Sequence, residues 1–204
     1  IIYNKGNKVN LTNPDTIIYV DIINDFCIIG LNPKNIGKRN YKVRISNDSL
    51  NPCLAYSLLK LAKFGKNKIL LDPFCSDGTL LIEAASLKGK KLYGFNQDVK
   101  NASINAKIAK VKINLSNKNL DWLDTLFKKI SIDLIISKPM YESKKKKLKF
   151  VDKIIKGLFH QASYILKKNG LMLLISPKIE LLEKYAKVYN FKVKEELKVK
   201  IGEQ

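Results

Sequence analysis

The chain predicts an α/β fold, a mostly parallel sheet with helices on both faces. Short runs of continuous apolar character recur, as expected of strands buried on both sides. Segments with apolar residues at helical spacing separate them. Strand and helix alternate along the chain, the order that builds parallel sheets.

Residues 1–50 read as an arm. Ile17 to Ile22 and Phe26 to Leu31 are β-rich runs separated by Ile23-Asn24-Asp25, a hairpin signal. The loop Asn32-Pro33-Lys34-Asn35-Ile36-Gly37 follows. Residues 51–204 read as one sheet domain. Asn51-Pro52 opens a helix with Leu54, Leu58, Leu61 and Ala62 on one face. Lys68 to Phe74 is a strand, and Gly78-Thr79 opens a helix from Leu80 to Leu87. Lys91 to Asn96 is a strand, Val99 to Val111 a helix and Ile132 to Ser137 a buried strand. An i, i+3, i+4, i+7 stripe runs from Val151 through Ile155, Leu158 and Ala162 to Leu166, with Asn169-Gly170 as a helix stop. Leu171 to Ser176 is a strand, Lys178 to Tyr189 a helix, and Phe191 to Ile201 a polar-alternating strand, the first half of a closing hairpin.

The 204 residues carry 38 Lys+Arg against 18 Asp+Glu, a net charge of +20. Such a surface attracts polyanions, nucleic acid first. Only Arg39 and Arg44 are arginine, and Ile and Asn abound, so part of the charge reflects composition. No apolar run approaches the roughly 20 residues of a membrane span. No signal-peptide pattern opens the chain. Cys27, Cys53 and Cys75 form no CxxC pair, which argues against a disulfide scaffold or a zinc site. No metal and no membrane are expected, the cytoplasm is the expected compartment, and the oligomeric state is left open. The first residue is Ile, so a longer parent chain is expected.

The richest segment is Leu70-Leu71-Asp72-Pro73-Phe74-Cys75-Ser76-Asp77-Gly78-Thr79, followed by Ile82-Glu83-Ala84-Ala85. A strand ends on an acid, turns through small residues and enters a helix whose first N–H groups can face a ligand. The full string resembles the first motif of S-adenosylmethionine-dependent methyltransferases, in the version carried by THUMP-associated RNA methyltransferases that modify the exocyclic amino group of guanine. Asn13-Pro14-Asp15 resembles that family's link between THUMP and catalytic domains. Lys38-Arg39-Asn40-Tyr41-Lys42 resembles its K-R-G-Y-R segment, and Leu50-Asn51-Pro52-Cys53-Leu54-Ala55 its L-x-P-x-L-A helix start. The resemblance implies a Rossmann-like class I methyltransferase fold preceded by a small hairpin arm, with a THUMP domain ahead of it in the longer chain.

It also implies roles. Asp72, Phe74, Ser76 and Gly78 would cradle the methionine part of S-adenosylmethionine. Asn96 and Gln97, after the second strand, would meet the ribose, and Asp121 and Trp122 the adenine. The family's catalytic [ND]-P-P-[YF] corresponds to Lys138-Pro139-Met140-Tyr141. There the first side chain and the next carbonyl orient the target nitrogen while the aromatic stacks on the base, so catalysis is by positioning. Arg39 and Lys144, Lys145, Lys146 and Lys147 would hold RNA phosphates; the lysine run reads equally as a solvated loop. The implied product is N2-methylguanine, in tRNA.

Three positions depart from the family at one pocket. Ser76 stands for a glycine, Asn96 for the ribose-binding acid, and Lys138, which has only donors, for the amino-orienting acceptor. Two readings stay open: an RNA methyltransferase, or a catalytically lapsed methyltransferase-fold RNA-binding or partner protein. His160, Tyr93 and Trp122 read as packing residues, and Cys75 as part of the motif, without a nucleophilic role.

Overall fold

The computed structural model describes residues 9–31, 37–118, 120–139 and 148–199. Tyr141, Lys144, Lys145, Lys146 and Lys147, and the loop 32–36, lie outside the described residues. The chain divides into two compact units, Ile1–Lys38 and Arg39–Gln204.

The first unit holds the expected hairpin, β1 (Ile18–Ile23) paired antiparallel with β2 (Phe26–Leu31). The register places Ile18, Val20, Ile22, Cys27, Ile29 and Leu31 on one face, because alternate residues of paired strands share a side.

The second unit is a five-stranded sheet in the order β5-β4-β3-β6-β7, every pair parallel. Its strands are β3 (Ile69–Asp72), β4 (Lys91–Phe95), β5 (Asn114–Ser116), β6 (Ile132–Ser137) and β7 (Leu166–Leu174). Its helices are α1 (Pro52–Leu61), α2 (Thr79–Ser86), α3 (Lys100–Ile108), α4 (Leu123–Leu126), α5 (Leu148–Ile165) and α6 (Ile179–Val188). Asn51 starts α1 by accepting from the N–H groups of Cys53 and Leu54 at 2.8 and 3.3 Å, ahead of Pro52 in the first turn.

The alternation of the strands splits the core. Leu70, Leu134 and Ile136 face α1 and α2 with Leu59, Leu81 and Ala84. Leu71 and Ile135 face the other way, onto Leu123, Ala162 and Ile165 of α4 and α5. The chain leaves β3 toward β4 and β5, then returns to β6 and β7. Strand order therefore reverses between β3 and β6, where sheets of this kind bind ligands at the strands' carboxyl ends.

Three local expectations differ from the structure. Residues 39–50 belong to the sheet unit, with Tyr41 packed on Ile82 and Ala106. Asn169-Gly170 does not stop α5. The helix ends at Ile165, and β7 runs through both residues in an irregular stretch between the pairs Ile132↔Leu166 and Leu134↔Leu171. There the chain folds back so closely that a Cβ on Gly170 would meet Leu166 Cγ at 2.7 Å. Residues 191–199 form no strand, for their alternating pattern has no neighbouring strand to pair with among the described residues.

Candidate active site

Asp72 ends β3 and Ser137 ends β6, on either side of the strand-order reversal. The Ser137 hydroxyl donates to Asp72 Oδ1 at 2.5 Å, and the Phe74 N–H donates to the same oxygen at 3.2 Å. Asp72 is 4% exposed. Burial pushes its carboxyl up to about 7; the two hydrogen bonds oppose that rise, and the charge of Asp77 adds to it. Ser137 was legible in the sequence only as the end of a strand.

The loop after Asp72 turns tightly. The Cys75 N–H donates to Phe95 O at 2.9 Å and the Gly78 N–H to Cys75 O at 2.8 Å. Ser76 (φ 51°) and Gly78 (φ 80°) are both left-handed. Gly78 has a second reason to be glycine, since a Cβ there would meet Ala102 Cβ at 3.0 Å. Ser76 pays the conformational cost that glycine avoids, and its Oγ is buried without a hydrogen-bond partner among the described residues. Burial raises the Cys75 thiol well above its ordinary range, consistent with a packing role.

Residues 39–50 fasten the far side of this loop. Asp77 accepts from Thr79 Oγ1 at 2.8 Å and Ser49 Oγ at 2.5 Å, with Lys42 Nζ at 3.9 Å. Asn105 bridges Asp77 O (3.0 Å) and Arg44 O (2.8 Å) through its amide. Glu83 accepts from Arg39 Nε at 2.8 Å, Arg39 Nη2 at 3.2 Å and Tyr41 Oη at 2.7 Å. Arg39, expected on RNA phosphates, is thus bound into the scaffold. Asp77, Asn105 and Lys42 escaped the sequence reading; the Asp-x-Thr spacing at the start of a helix was the signal for Asp77.

A cleft beside the loop brings together Asp72, Phe74, Ser76, Asp77, Ser137 and Lys138, with a free volume of about 10 Å³. That is about the room of one water molecule. Lys138 is half-buried, and its charge opposes that of Lys42, whose ammonium is lowered chiefly by burial. Pro139 behind it is buried.

The remaining expected residues lie on the same carboxyl rim without lining this cleft. Asn96 follows β4, its N–H on Ser116 O at 3.3 Å and its amide on Asp98 O at 3.0 Å. Gln97 is exposed. Asp121 and Trp122 form a short turn after β5. Trp122 is 52% exposed with Lys118 Nζ 5.2 Å from its ring centre, so it is a surface ring and not the packing residue expected. Tyr93 does pack, edge-on to Phe127 at 5.1 Å. His160 is exposed against the Tyr189 ring.

Comparison with known proteins agrees with this geometry. The chain is 28% identical to the tRNA (guanine(6)-N2)-methyltransferase of Methanocaldococcus jannaschii, over 96% of this chain and 63% of that protein. It is 32% identical to the tRNA (guanine(10)-N2)-dimethyltransferase of the same organism, over 89% of this chain and 56% of that one. It thus spans about six-tenths of the length of these relatives. TrmN from Thermus thermophilus has the same fold, with a TM-score of 0.70 at 24% identity over 90% of this chain and 55% of that one. The family described as RMKL-like, methyltransferase domain, matches residues 39–204, from the arginine that grips Glu83 to the last residue, and the chain belongs to that family.

Proposed function

We propose that this domain transfers a methyl group from S-adenosylmethionine to the exocyclic N2 of a guanine in tRNA. The observation that carries the reading is the cradle at the strand-order reversal. A buried carboxyl is held there by one hydroxyl and one N–H, beside a left-handed serine whose Oγ has no partner among the described residues. An orphaned buried hydroxyl costs about 1–3 kcal/mol, a cost a polar ligand would relieve.

When bound, S-adenosylmethionine supplies an electrophilic methyl on a cationic sulfur. Asp72 and Ser76 would hold its amino-acid end. A cationic ligand beside Asp72 favours the ionised carboxylate and releases a proton near neutrality. Asn96 and Gln97 would meet the ribose and Asp121 the adenine, with the exposed Trp122 ring bordering it. Pro139 and Tyr141 would frame a guanine flipped out of its stack. Lys138 has no acceptor, so the backbone carbonyl after it is left to orient the amino group. A THUMP domain in the longer protein, and action in the cytoplasm, belong to the same proposal.

Lys138 and the small cleft also support a second reading, a binding domain that kept the fold and lost the chemistry. Calorimetric titration with S-adenosylmethionine separates the two. Micromolar binding, followed by methyl transfer to unmodified tRNA, is expected; millimolar or absent binding leaves the binding-domain reading.

A further inference from the structure

Because all five strands are parallel, their amino ends share one edge of the sheet, opposite the cleft. The register makes that edge nearly level: Ile69 lies beside Lys91, Tyr93 beside Asn114 and Ile132 beside Leu166. The chain enters the strands through 62–68, 87–91, 109–113, 127–131 and 166–168. These five segments hold twelve lysines and no carboxylate, and ten of the lysines are exposed. One acid, Asp133, lies just inside β6, bound to Lys167 Nζ at 2.7 Å and the Ile69 N–H at 2.8 Å. At the carboxyl edge the balance differs. Counted from the sequence, the connections leaving the strands (73–78, 96–99, 117–122, 138–147 and 175–178) hold seven lysines against four carboxylates, Asp77, Asp98, Asp121 and Glu142. A compositional excess of lysine would load both edges alike.

Three of the amino-edge lysines also hold a strained backbone. Lys63, Lys88 and Lys110 follow α1, α2 and α3 with φ of 49°, 65° and 55°. Their N–H groups close the last turns onto Lys60, Ala85 and Lys107 carbonyls. Glycine is the unstrained residue there, and any other side chain costs roughly 1 kcal/mol. A helix C-terminus favours a cation, but a lysine in the last turn of the helix, as Lys60 and Lys107 are, serves that purpose without strain. After α6 the equivalent residue is Asn190 (φ 58°), the ordinary alternative to glycine.

We propose that the amino edge of the sheet is a second RNA-contact face, a sequence-independent grip on the phosphate backbone remote from the methyl-transfer cleft. It rests on the reading of RNA as the partner and deepens it. The three central strands, β4, β3 and β6, of four to six residues, set the two edges roughly 13–20 Å apart. An RNA held at the amino edge therefore reaches the cleft by wrapping around the domain. Exposed lysines bind phosphates as point charges and release counterions, so this face adds affinity and salt dependence but no base preference.

The test replaces Lys88, Lys90, Lys110 and Lys112 together by Gln and measures binding to unmodified tRNA from 50 to 300 mM salt. A control of equal charge loss replaces Lys100, Lys149, Lys153 and Lys156, all exposed in the first halves of α3 and α5, away from that edge. The edge variant is expected to lose tRNA affinity about 10-fold or more at low salt. Its slope of log affinity against log salt becomes shallower by about 3, at 0.7–0.9 per lost contact. The control changes far less, and S-adenosylmethionine binding and melting temperature are unchanged in both. Equal losses in the two variants overturn the edge while leaving RNA as the substrate. Intact tRNA binding by the edge variant, with loss only of co-sedimentation with phosphatidylserine vesicles, overturns it in favour of a membrane. No tRNA binding by the unaltered protein overturns the edge together with the RNA reading, whatever the S-adenosylmethionine titration shows.

Discussion

Glu83 and Asp72 are both 4% exposed, in the same βα unit, yet their surroundings differ in kind. Glu83 accepts two bonds from a guanidinium and one from a phenol. Its charge is neutralised inside the protein. Asp72 has a hydroxyl and a backbone N–H, with another carboxyl adding repulsion and, in the same cleft, a hydroxyl with no partner among the described residues. A buried acid given its own cation is scaffold; one left short of compensation is held ready for a ligand.

The largest expected effect breaks the scaffold member. Glu83→Ala takes three hydrogen bonds, two of them charge-assisted, from half-buried Arg39 and buried Tyr41, and should cost about 3–5 kcal/mol in urea unfolding. The more exposed pair Lys184–Asp152, at 3.1 Å, should give less than about 1 kcal/mol in the same measurement. If the two variants cost the same, Glu83 does not fasten residues 39–50 to the sheet.

Asp72 should behave in the opposite way. Its native carboxyl titrates near 7, against 3.8 for an ordinary aspartate, so the folded state holds the proton more tightly than the unfolded chain. That contribution to stability is complete below about pH 4. It falls by roughly 1.4 kcal/mol per pH unit as pH rises toward 7, on the order of 4 kcal/mol in all, and is constant above. Asp72→Asn keeps an acceptor for Ser137 and Phe74 and does not ionise. Its melting temperature should match the unaltered protein near pH 4 and exceed it at pH 8, while S-adenosylmethionine binding is lost. Parallel melting curves from pH 4 to 8 would show that Asp72 is compensated like Glu83.

This contrast was only half visible in the sequence. Asp72 sits in a contiguous motif, so its place at a strand end could be read directly, as could β6 and the long stripe of α5. Local pattern suffices where periodicity is long or a motif is unbroken. Glu83 was legible as part of the same string, but its partners Arg39 and Tyr41 stand 44 and 42 residues earlier, in a stretch without periodicity that reads as a linker. Ser137 lies 65 residues from Asp72. Asn114–Ser116 is too short for any pattern to show, and the alternation in 191–199 looked like a strand because pattern cannot reveal whether a neighbour exists. What escaped was pairing across distance in the chain; what was read was conformation within it.

The smallest expected effect sharpens the Asp72 side. From sequence, Ser76 reads as a defect in a glycine position that weakens the cofactor site. Its left-handed backbone, and a buried Oγ with no partner among the described residues, admit a different account, in which the cost is kept for a ligand's sake. Ser76→Gly relieves the left-handed strain and removes the orphaned hydroxyl, against the extra freedom glycine gives the unfolded chain. The ligand-free protein should gain about 1 kcal/mol in urea unfolding. If the hydroxyl serves the ligand, the same variant binds S-adenosylmethionine several-fold more weakly, so stability and affinity move in opposite directions. A defect predicts that both improve together. Titrating the variant and the unaltered protein side by side decides between them, and equal or tighter binding by Ser76→Gly would reduce Ser76 to a tolerated substitution.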